Sequence, residues 1–257
     1  MPAGWERLSN GSGQGIVLAV DFEAVGRPEA CFSDLVTILD PPREVWAVTQ
    51  PAAGQDMPAS ADAYLRYWSG GLREGGWEIS AVLGYCAGAV FAAALAEQIA
   101  QWQATPVAVL LDPEPPTGAT LRKQFGHAMR GLAASGAQLG WVRESLGRLG
   151  DSPDLSWLAA ELSSLYKQAS EPVFFRIGLG PEMQADLLAS FRSLMSYLVA
   201  AASAGAGERW ASATAIVSAV PICEPDGVVC QIRTGVDHAD LLRSPVVAGL
   251  VSKLLEA

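Results

Sequence analysis

Between residues 79 and 100 the chain changes character twice within a few positions. Ile79-Ser80-Ala81-Val82-Leu83 is a short, mostly apolar run. Residues 89–100 are alanine-rich, and Gly84-Tyr85-Cys86-Ala87-Gly88 joins the two. The apolar run predicts a buried strand and the alanine-rich stretch a helix. The join leaves room for one sharp turn. Glycines two before and two after Cys86 let strand and helix backbones approach more closely than side chains allow, and the residue between them takes a strained backbone. The helix N-terminus then aims its free N–H groups and positive dipole end at the sulfur, which predicts a favoured thiolate and a place for developing negative charge.

The same alternation surrounds this segment. Residues 16–20 read as a buried strand, 29–39 as a helix closed by Pro41-Pro42, and 44–49 as a strand stopped by Pro51. Tyr64, Leu65, Trp68 and Leu72 have helical spacing within 60–72, with Ser60 and Asp62 as start signals. Residues 106–111 form a further strand that ends at Asp112. Continuous apolar strands alternating with helices imply a parallel sheet covered on both faces. From 118 to 207 the strand signal fades. Residues 155–167 predict a helix capped near Ser152, and Leu187, Leu188, Phe191, Leu194, Met195, Leu198 and Val199 mark an amphipathic helix that starts at Pro181. Strands return at 213–220 and 228–233, and a last helix at 244–255 carries Pro245 near its start. The expected organisation is a core of 1–117 and 208–257 interrupted by a helical lid, 118–207. Gly11-Ser12-Gly13-Gln14-Gly15 precedes a strand instead of following one, so it reads as a lead-in and not a phosphate loop.

Composition narrows the functional classes. Half of the 257 residues are apolar, enough for a sizeable core. The net charge of −10 opposes nucleic-acid binding, which runs on Lys and Arg. The longest apolar stretch, 194–206, is broken by serines, so no bilayer span is expected. Residues 1–7 lack a basic and an apolar leader region, which predicts no secretion. The four cysteines stand far apart, with no close pair and no histidine at metal spacing. That argues against zinc and for a reduced cytoplasm, and no metal or cofactor is expected.

A thiol nucleophile needs a base, and the base needs an orienting group. The chain has two histidines: His127 in the helical block, and His238 just after the last expected strand. Cys86, Asp112 and His238 each follow a strand directly. A parallel sheet therefore brings all three to one edge, in the chain order nucleophile, acid, histidine. An Asp before Pro is also a common turn residue, and Glu224 and Asp226 offer an alternative acid. Cys31, Cys223 and Cys230 read as small core residues, and Asp237 and Asp240 as solvated charges. Tyr85 either lines the pocket or packs. Phe125, Trp141, Trp157, Tyr166 and Met195 are candidates for a lid cavity, although such spacing is more often core. Arg122, Lys123, Arg130, Arg143 and Arg148 face Glu144 alone between 118 and 150, which is either a solvated face or a dock for an acidic partner.

These segments resemble the thioesterase branch of the α/β-hydrolases, the domains that release acyl chains from polyketide and non-ribosomal peptide carriers. The likeness covers nearly the full length. Leu83-Gly84-Tyr85-Cys86-Ala87-Gly88-Ala89 resembles the family's G-x-S-x-G nucleophile elbow, Val109-Leu110-Leu111-Asp112 its acid strand, and Gly235-Val236-Asp237-His238 with Leu241, Leu242 and Pro245 its histidine loop. Sulfur in place of oxygen makes the chain most similar to the stand-alone Cys-Asp-His Dieckmann cyclases that form tetramic acids and pyridones. The resemblance implies an α/β-hydrolase fold, mostly parallel, with an inserted helical lid. It implies Cys86 as nucleophile, His238 as base and Asp112 as orienter, and a substrate tethered to the phosphopantetheine of an acyl or peptidyl carrier protein. The oxyanion would take the N–H of Ala87 and that of Phe22 or Glu23, with Tyr85 and Glu23 against the substrate. The loop Asp21-Phe22-Glu23-Ala24-Val25-Gly26 lacks the family's Gly-Gly.

Overall fold

The structure is a computed structural model that describes residues 1–11, 15–23, 27–51, 59–132, 136–150 (backbone only at 136–139), 152–205, 208–225 and 227–256. Its centre is a seven-stranded sheet: β1 (Trp5–Ser9), β2 (Ile16–Val20), β3 (Val45–Val48), β4 (Ile79–Tyr85), β5 (Val107–Leu111), β6 (Thr214–Val217) and β7 (Cys230–Arg233). The spatial order is β1-β3-β2-β4-β5-β6-β7. All neighbours are parallel except β1, which runs antiparallel along β3. Alternation along the strands divides the core. Leu18, Val20, Val82, Leu110 and Ala215 belong to one apolar cluster, and Val17, Ala19, Ala81, Leu83, Val109 and Ile216 to the other.

Helices cover both faces. The first cluster packs under α2 (Ala61–Glu74) and α3 (Gly88–Ile99). The second packs under α1 (Phe32–Val36), the 3-10 turn His238–Arg243 and α8 (Pro245–Leu255). Between β5 and β6 lie four consecutive helices, α4 (Gly118–Gly131), α5 (Gly136–Arg148), α6 (Leu155–Arg176) and α7 (Pro181–Ala204). The C-terminal half of α7 belongs to the core: Tyr197 packs 5.0 Å from Phe91, 5.3 Å from Phe22 and 5.8 Å from Tyr64, centroid to centroid. That half therefore closes the sheet's helical layer and does not stand apart from it.

Several boundaries shift for identifiable reasons. The edge strand β1 gives no strong sequence signal, yet Trp5 is buried and its Nε1–H donates to the Trp68 carbonyl at 2.8 Å. Helix α1 is shorter than 29–39 because the Ala30 N–H goes to the Ala239 carbonyl, and Asp34 then accepts the Cys31 N–H to cap the start. Strand β6 stops at Val217 because the next two N–H groups are claimed elsewhere, Ser218 by Asp112 Oδ1 and Ala219 by the Val236 carbonyl. Helix α6 starts after an Asp154 cap, beyond Ser152, and continues through Pro172. Contrary to the expectation from serine breaks, α7 is long and apolar enough to cross a membrane by length and composition. Half of its apolar window is buried inside the fold, as in a core helix.

Candidate active site

Strand β4 carries Cys86 to the C-terminal rim of the sheet. Its N–H still pairs with the Leu111 carbonyl of β5 at 2.9 Å, while its φ of 53° lies in the left-handed region. The flanking glycines have no positive φ; they provide space. A Cβ on Gly84 would stand 2.5 Å from Ala89 Cα and 2.6 Å from Ala92 Cβ, and one on Gly88 would run into the Val20 carbonyl oxygen. The backbone strain therefore rests on Cys86 itself, and the close approach of β4, α3 and β2 rests on the glycines.

Strand β5 delivers the acid in a similar way. Asp112 has φ 43°, donates its N–H to the Ile216 carbonyl at 2.9 Å, and is 3 % exposed. Its Oδ1 accepts the Ser218 N–H at 2.7 Å, and its Oδ2 lies 2.7 Å from His238 Nδ1. Of the alternative acids, Glu224 is exposed and held by Arg233 at 2.9 Å and 3.0 Å, and Asp226 lies outside the described residues. Asp240 is exposed beside Arg243. The Tyr85 ring stacks on the imidazole at 5.1 Å and 19°. Its hydroxyl lies 2.9 Å from the His238 carbonyl oxygen and 3.0 Å from Nε2, and its one proton is shared between these two acceptors. Asp112, His238 and Tyr85 thus form one connected group.

The sulfur belongs to a different contact. Cys86 Sγ–H donates to Glu114 Oε2 at 3.3 Å, and no hydrogen bond joins it to His238. Glu114 is 7 % exposed and held at both its backbone and its carboxylate. Its N–H donates to the Cys86 carbonyl at 3.2 Å, its Oε1 accepts the Thr120 hydroxyl at 2.9 Å, and that hydroxyl also takes the Thr117 N–H at the start of α4. The expectation of a favoured thiolate is reversed. Burial first, then the charges of Glu114 and Asp21, push the Cys86 thiol well above its ordinary value, and the opposing pull of the Ala87 N–H is too weak to offset them. Sequence reasoning missed Glu114. Its trace was the stiff run Asp112-Pro113-Glu114-Pro115-Pro116, which sets a second carboxylate directly after the first.

The expected oxyanion donors divide. The Ala87 N–H faces the sulfur at the start of α3. The Phe22 N–H is occupied, donating to Asp21 Oδ1 at 2.7 Å. Asp21 is paired in turn with Arg27 at 2.6 Å, and Arg27 also binds the Phe22 and Ala30 carbonyls. Burial raises the Asp21 carboxyl although Arg27 opposes it. Glu23 is exposed and makes no described contact with the site. Arg27 also sits 5.5 Å above the Tyr85 ring, which ties this loop to the imidazole group.

A cavity of about 520 Å³ opens between the loop after β2 and helices α4, α6 and α7. Phe22, Arg27, His127, Arg130, Tyr166 and Phe191 line it, and Cys86 is not among its described walls. Phe125 packs behind Phe191, Met195 lines a separate groove between α6 and α7, Trp141 packs against the core, and Trp157 is 40 % exposed. In the basic segment, Arg122 is bound to the Leu146 and Gly150 carbonyls and Arg148 pairs with Glu144, and the other three, Lys123, Arg130 and Arg143, are exposed. Cys230 is exposed on the edge strand β7 and Cys31 and Cys223 are half-buried, so none of the three is a core residue.

No family model and no curated sequence matches the chain. Among solved structures, the chain is similar to AB3403, a four-domain nonribosomal peptide synthetase bound to AMP and glycine. The TM-score is 0.61 at 16 % identity over 98 % of this chain, which spans about a fifth (20 %) of the synthetase. It is also similar to the Vlm2 thioesterase domain bound with a dodecadepsipeptide, with a TM-score of 0.57 at 19 % identity, covering 98 % of this chain and 96 % of that domain. A covalent complex of the NocB thioesterase domain with a fluorophosphonate nocardicin G analog gives 0.54 at 14 % identity, covering 96 % of each. With the strand order and the turn at Cys86, these likenesses establish an α/β-hydrolase fold, mostly parallel, with a helical insertion between β5 and β6.

Proposed function

We propose that this chain releases acyl or peptidyl chains tethered as thioesters to a carrier protein, through an acyl-enzyme on Cys86, and closes a ring by Dieckmann-type attack of a substrate carbanion. The observation that carries this reading is a strained cysteine at the β4–α3 turn on the same sheet rim as an imidazole that Asp112 orients. The thioesterase domains of similar fold support the carrier-bound class of substrate. The sulfur supports the ring closure. Transfer from one thioester to another is nearly thermoneutral, and the Cys86 thioester stays more electrophilic toward carbon than a serine ester would. His238 takes the proton of a methylene between two carbonyls, displacing the Tyr85 hydroxyl from Nε2. The carbanion then attacks within the same chain, where prealignment is worth roughly 7–11 kcal/mol at best.

Under this reading, residues 1–117 and 208–257 are the core, completed by the C-terminal half of α7, and the rest of 118–207 acts as a lid that keeps water from the acyl-enzyme. The Vlm2 domain was seen with a large depsipeptide, which favours a second reading: hydrolysis or macrocyclisation from Cys86. Incubation with a synthetic β-ketoamide thioester, followed by mass analysis of protein and product, tests both. An adduct on Cys86 and a ring that retains every substrate carbon support the first. A free acid selects the second, and no adduct at all refutes both.

A further inference from the structure

We propose that Glu114 is a catalytic residue, the proton acceptor for the Cys86 thiol. The site then holds two separate bases, Glu114 for sulfur and His238 for carbon. This rests on the function proposed above. The geometry behind it is a division already present in the resting site. The thiol is hydrogen-bonded to Glu114 Oε2 at 3.3 Å, and the imidazole Nε2 is engaged by the Tyr85 hydroxyl at 3.0 Å. Glu114 is also prepared for such a role. Thr120 and the Cys86 carbonyl hold it from opposite ends, so Oε2 is the oxygen left to face sulfur. A buried carboxylate with one oxygen satisfied by a hydroxyl and the other aimed at a reacting atom is a positioned base.

The step balances without an added reactant. The Cys86 S–H proton passes to Glu114 Oε2 as sulfur attacks the thioester carbonyl carbon. The new C–S bond forms, and the oxyanion faces the Ala87 N–H. Collapse breaks the bond to the pantetheine sulfur, which leaves with the proton from Glu114 as a free thiol. Glu114 is again a carboxylate, and the acyl group is on Cys86. Ring closure is then a different proton transfer, from the substrate methylene to His238, and it expels the Cys86 thiolate; His238 then gives up that proton to solvent and the thiolate takes one back, which restores both groups. Two transfers of different character need two bases, and each sits beside its own atom.

The test measures acylation separately from turnover. With a β-ketoamide N-acetylcysteamine thioester, rapid-quench intact mass gives the acylation rate of the wild type, Glu114→Gln, Glu114→Asp and His238→Asn. At about pH 6.5, Glu114→Gln is expected to acylate about 10²-fold more slowly, with Glu114→Asp recovering part of the loss. In Glu114→Gln the acylation rate should climb about tenfold per pH unit between about pH 6 and about pH 8.5, because only preformed thiolate then reacts, and the wild type should climb less steeply. His238→Asn should accumulate acyl-enzyme and make little ring. Wild-type acylation by Glu114→Gln, or loss of acylation in His238→Asn equal to its loss of ring formation, overturns the proposal. A second readout needs no substrate. Iodoacetamide alkylation of Cys86, followed by peptide mass, should show a lower pH midpoint in Glu114→Gln than in the wild type, and an unchanged midpoint refutes the thiol–carboxylate contact. Absence of any wild-type adduct with a shifted alkylation midpoint would instead reject the proposed function while leaving the contact intact.

Discussion

Asp112→Asn is the most diagnostic single change in the imidazole group. Asp112 accepts two donors at 2.7 Å, the Ser218 N–H on Oδ1 and His238 Nδ1–H on Oδ2, in a pocket that leaves it 3 % exposed. Asparagine has one carbonyl oxygen for these two donors. The Ser218 N–H is backbone at the end of β6 and cannot turn away, so the asparagine oxygen stays with it and the amide NH₂ faces Nδ1. An NH₂ is a donor, so Nδ1 must become the acceptor and the ring proton moves to Nε2. The imidazole then carries a proton on the nitrogen that should accept one. A wrong tautomer of this kind costs roughly 10⁴-fold in turnover, or about 5 kcal/mol of barrier. Folding loses less. One charged hydrogen bond is exchanged for a neutral one, so about 1–3 kcal/mol is expected by denaturant unfolding. The assay is turnover of the thioester probe together with ¹⁵N chemical shifts of the imidazoles, which are tractable because the chain has only two histidines. A folded Asp112→Asn protein that turns over within about tenfold of wild type, or whose His238 still carries its proton on Nδ1, would refute the reasoning.

Other changes probe the supports of the site. Gly84→Ala places a methyl 2.5 Å from Ala89 Cα, so β4 and α3 must separate; a loss of about 1–3 kcal/mol in denaturant unfolding is expected, and an unchanged midpoint would contradict the close approach. Arg27→Met leaves Asp21 buried without its partner, with an expected cost of about 3–5 kcal/mol at neutral pH. The sign with pH follows from the Asp21 carboxyl, which titrates above 3.8 in the fold; its contribution is fully present below that value and lost as pH rises through the folded one. The deficit of Arg27→Met should therefore shrink as pH falls from about 7 toward about 4, and a pH-independent deficit rules the account out. Reversal of Lys123 and Arg130 to Glu should raise KM for a carrier-bound substrate but not for a small thioester. Equal effects would retire α4 as a carrier dock, and Arg122 is unsuitable for the test because it binds the Leu146 and Gly150 carbonyls.

The parallel core was legible because its signals are local. Apolar runs of strand length, the glycines around Cys86 and the helix starts at Ser60 and Pro181 each depend on a few neighbouring residues. Asp112 was legible for the same reason, as the first polar residue after an apolar strand. What stayed hidden depends on contacts distant in sequence. Strand β1 exists because Trp5 reaches Trp68, sixty-three positions away. The end of β6 is set by Asp112, and the Phe22 N–H is occupied by a neighbour whose pairing with Arg27 no periodicity reveals. Glu114 was invisible because a carboxylate between prolines looks like a solvated loop until α4 brings Thr120 against it.

The state of the sulfur shows how magnitudes decide between local rules. A helix N-terminus stabilises an adjacent negative charge by about 0.3–1 kcal/mol, and about 2 kcal/mol in favourable buried geometry. Complete burial disfavours a charged group by up to roughly 4–7 kcal/mol; Cys86 is half-buried and feels part of that, and a nearby carboxylate adds to it. At Cys86 burial comes first and the Glu114 charge second, so the dipole of α3 loses and the resting residue is a neutral thiol. A neutral thiol is a poor target for peroxide and stray electrophiles, which react with thiolate. It also means the helix acts later than the turn alone suggests. Under the proposed function, its N–H at Ala87 stabilises the oxyanion that would appear after the proton has left the sulfur, while removal of that proton falls to a base already in contact with it.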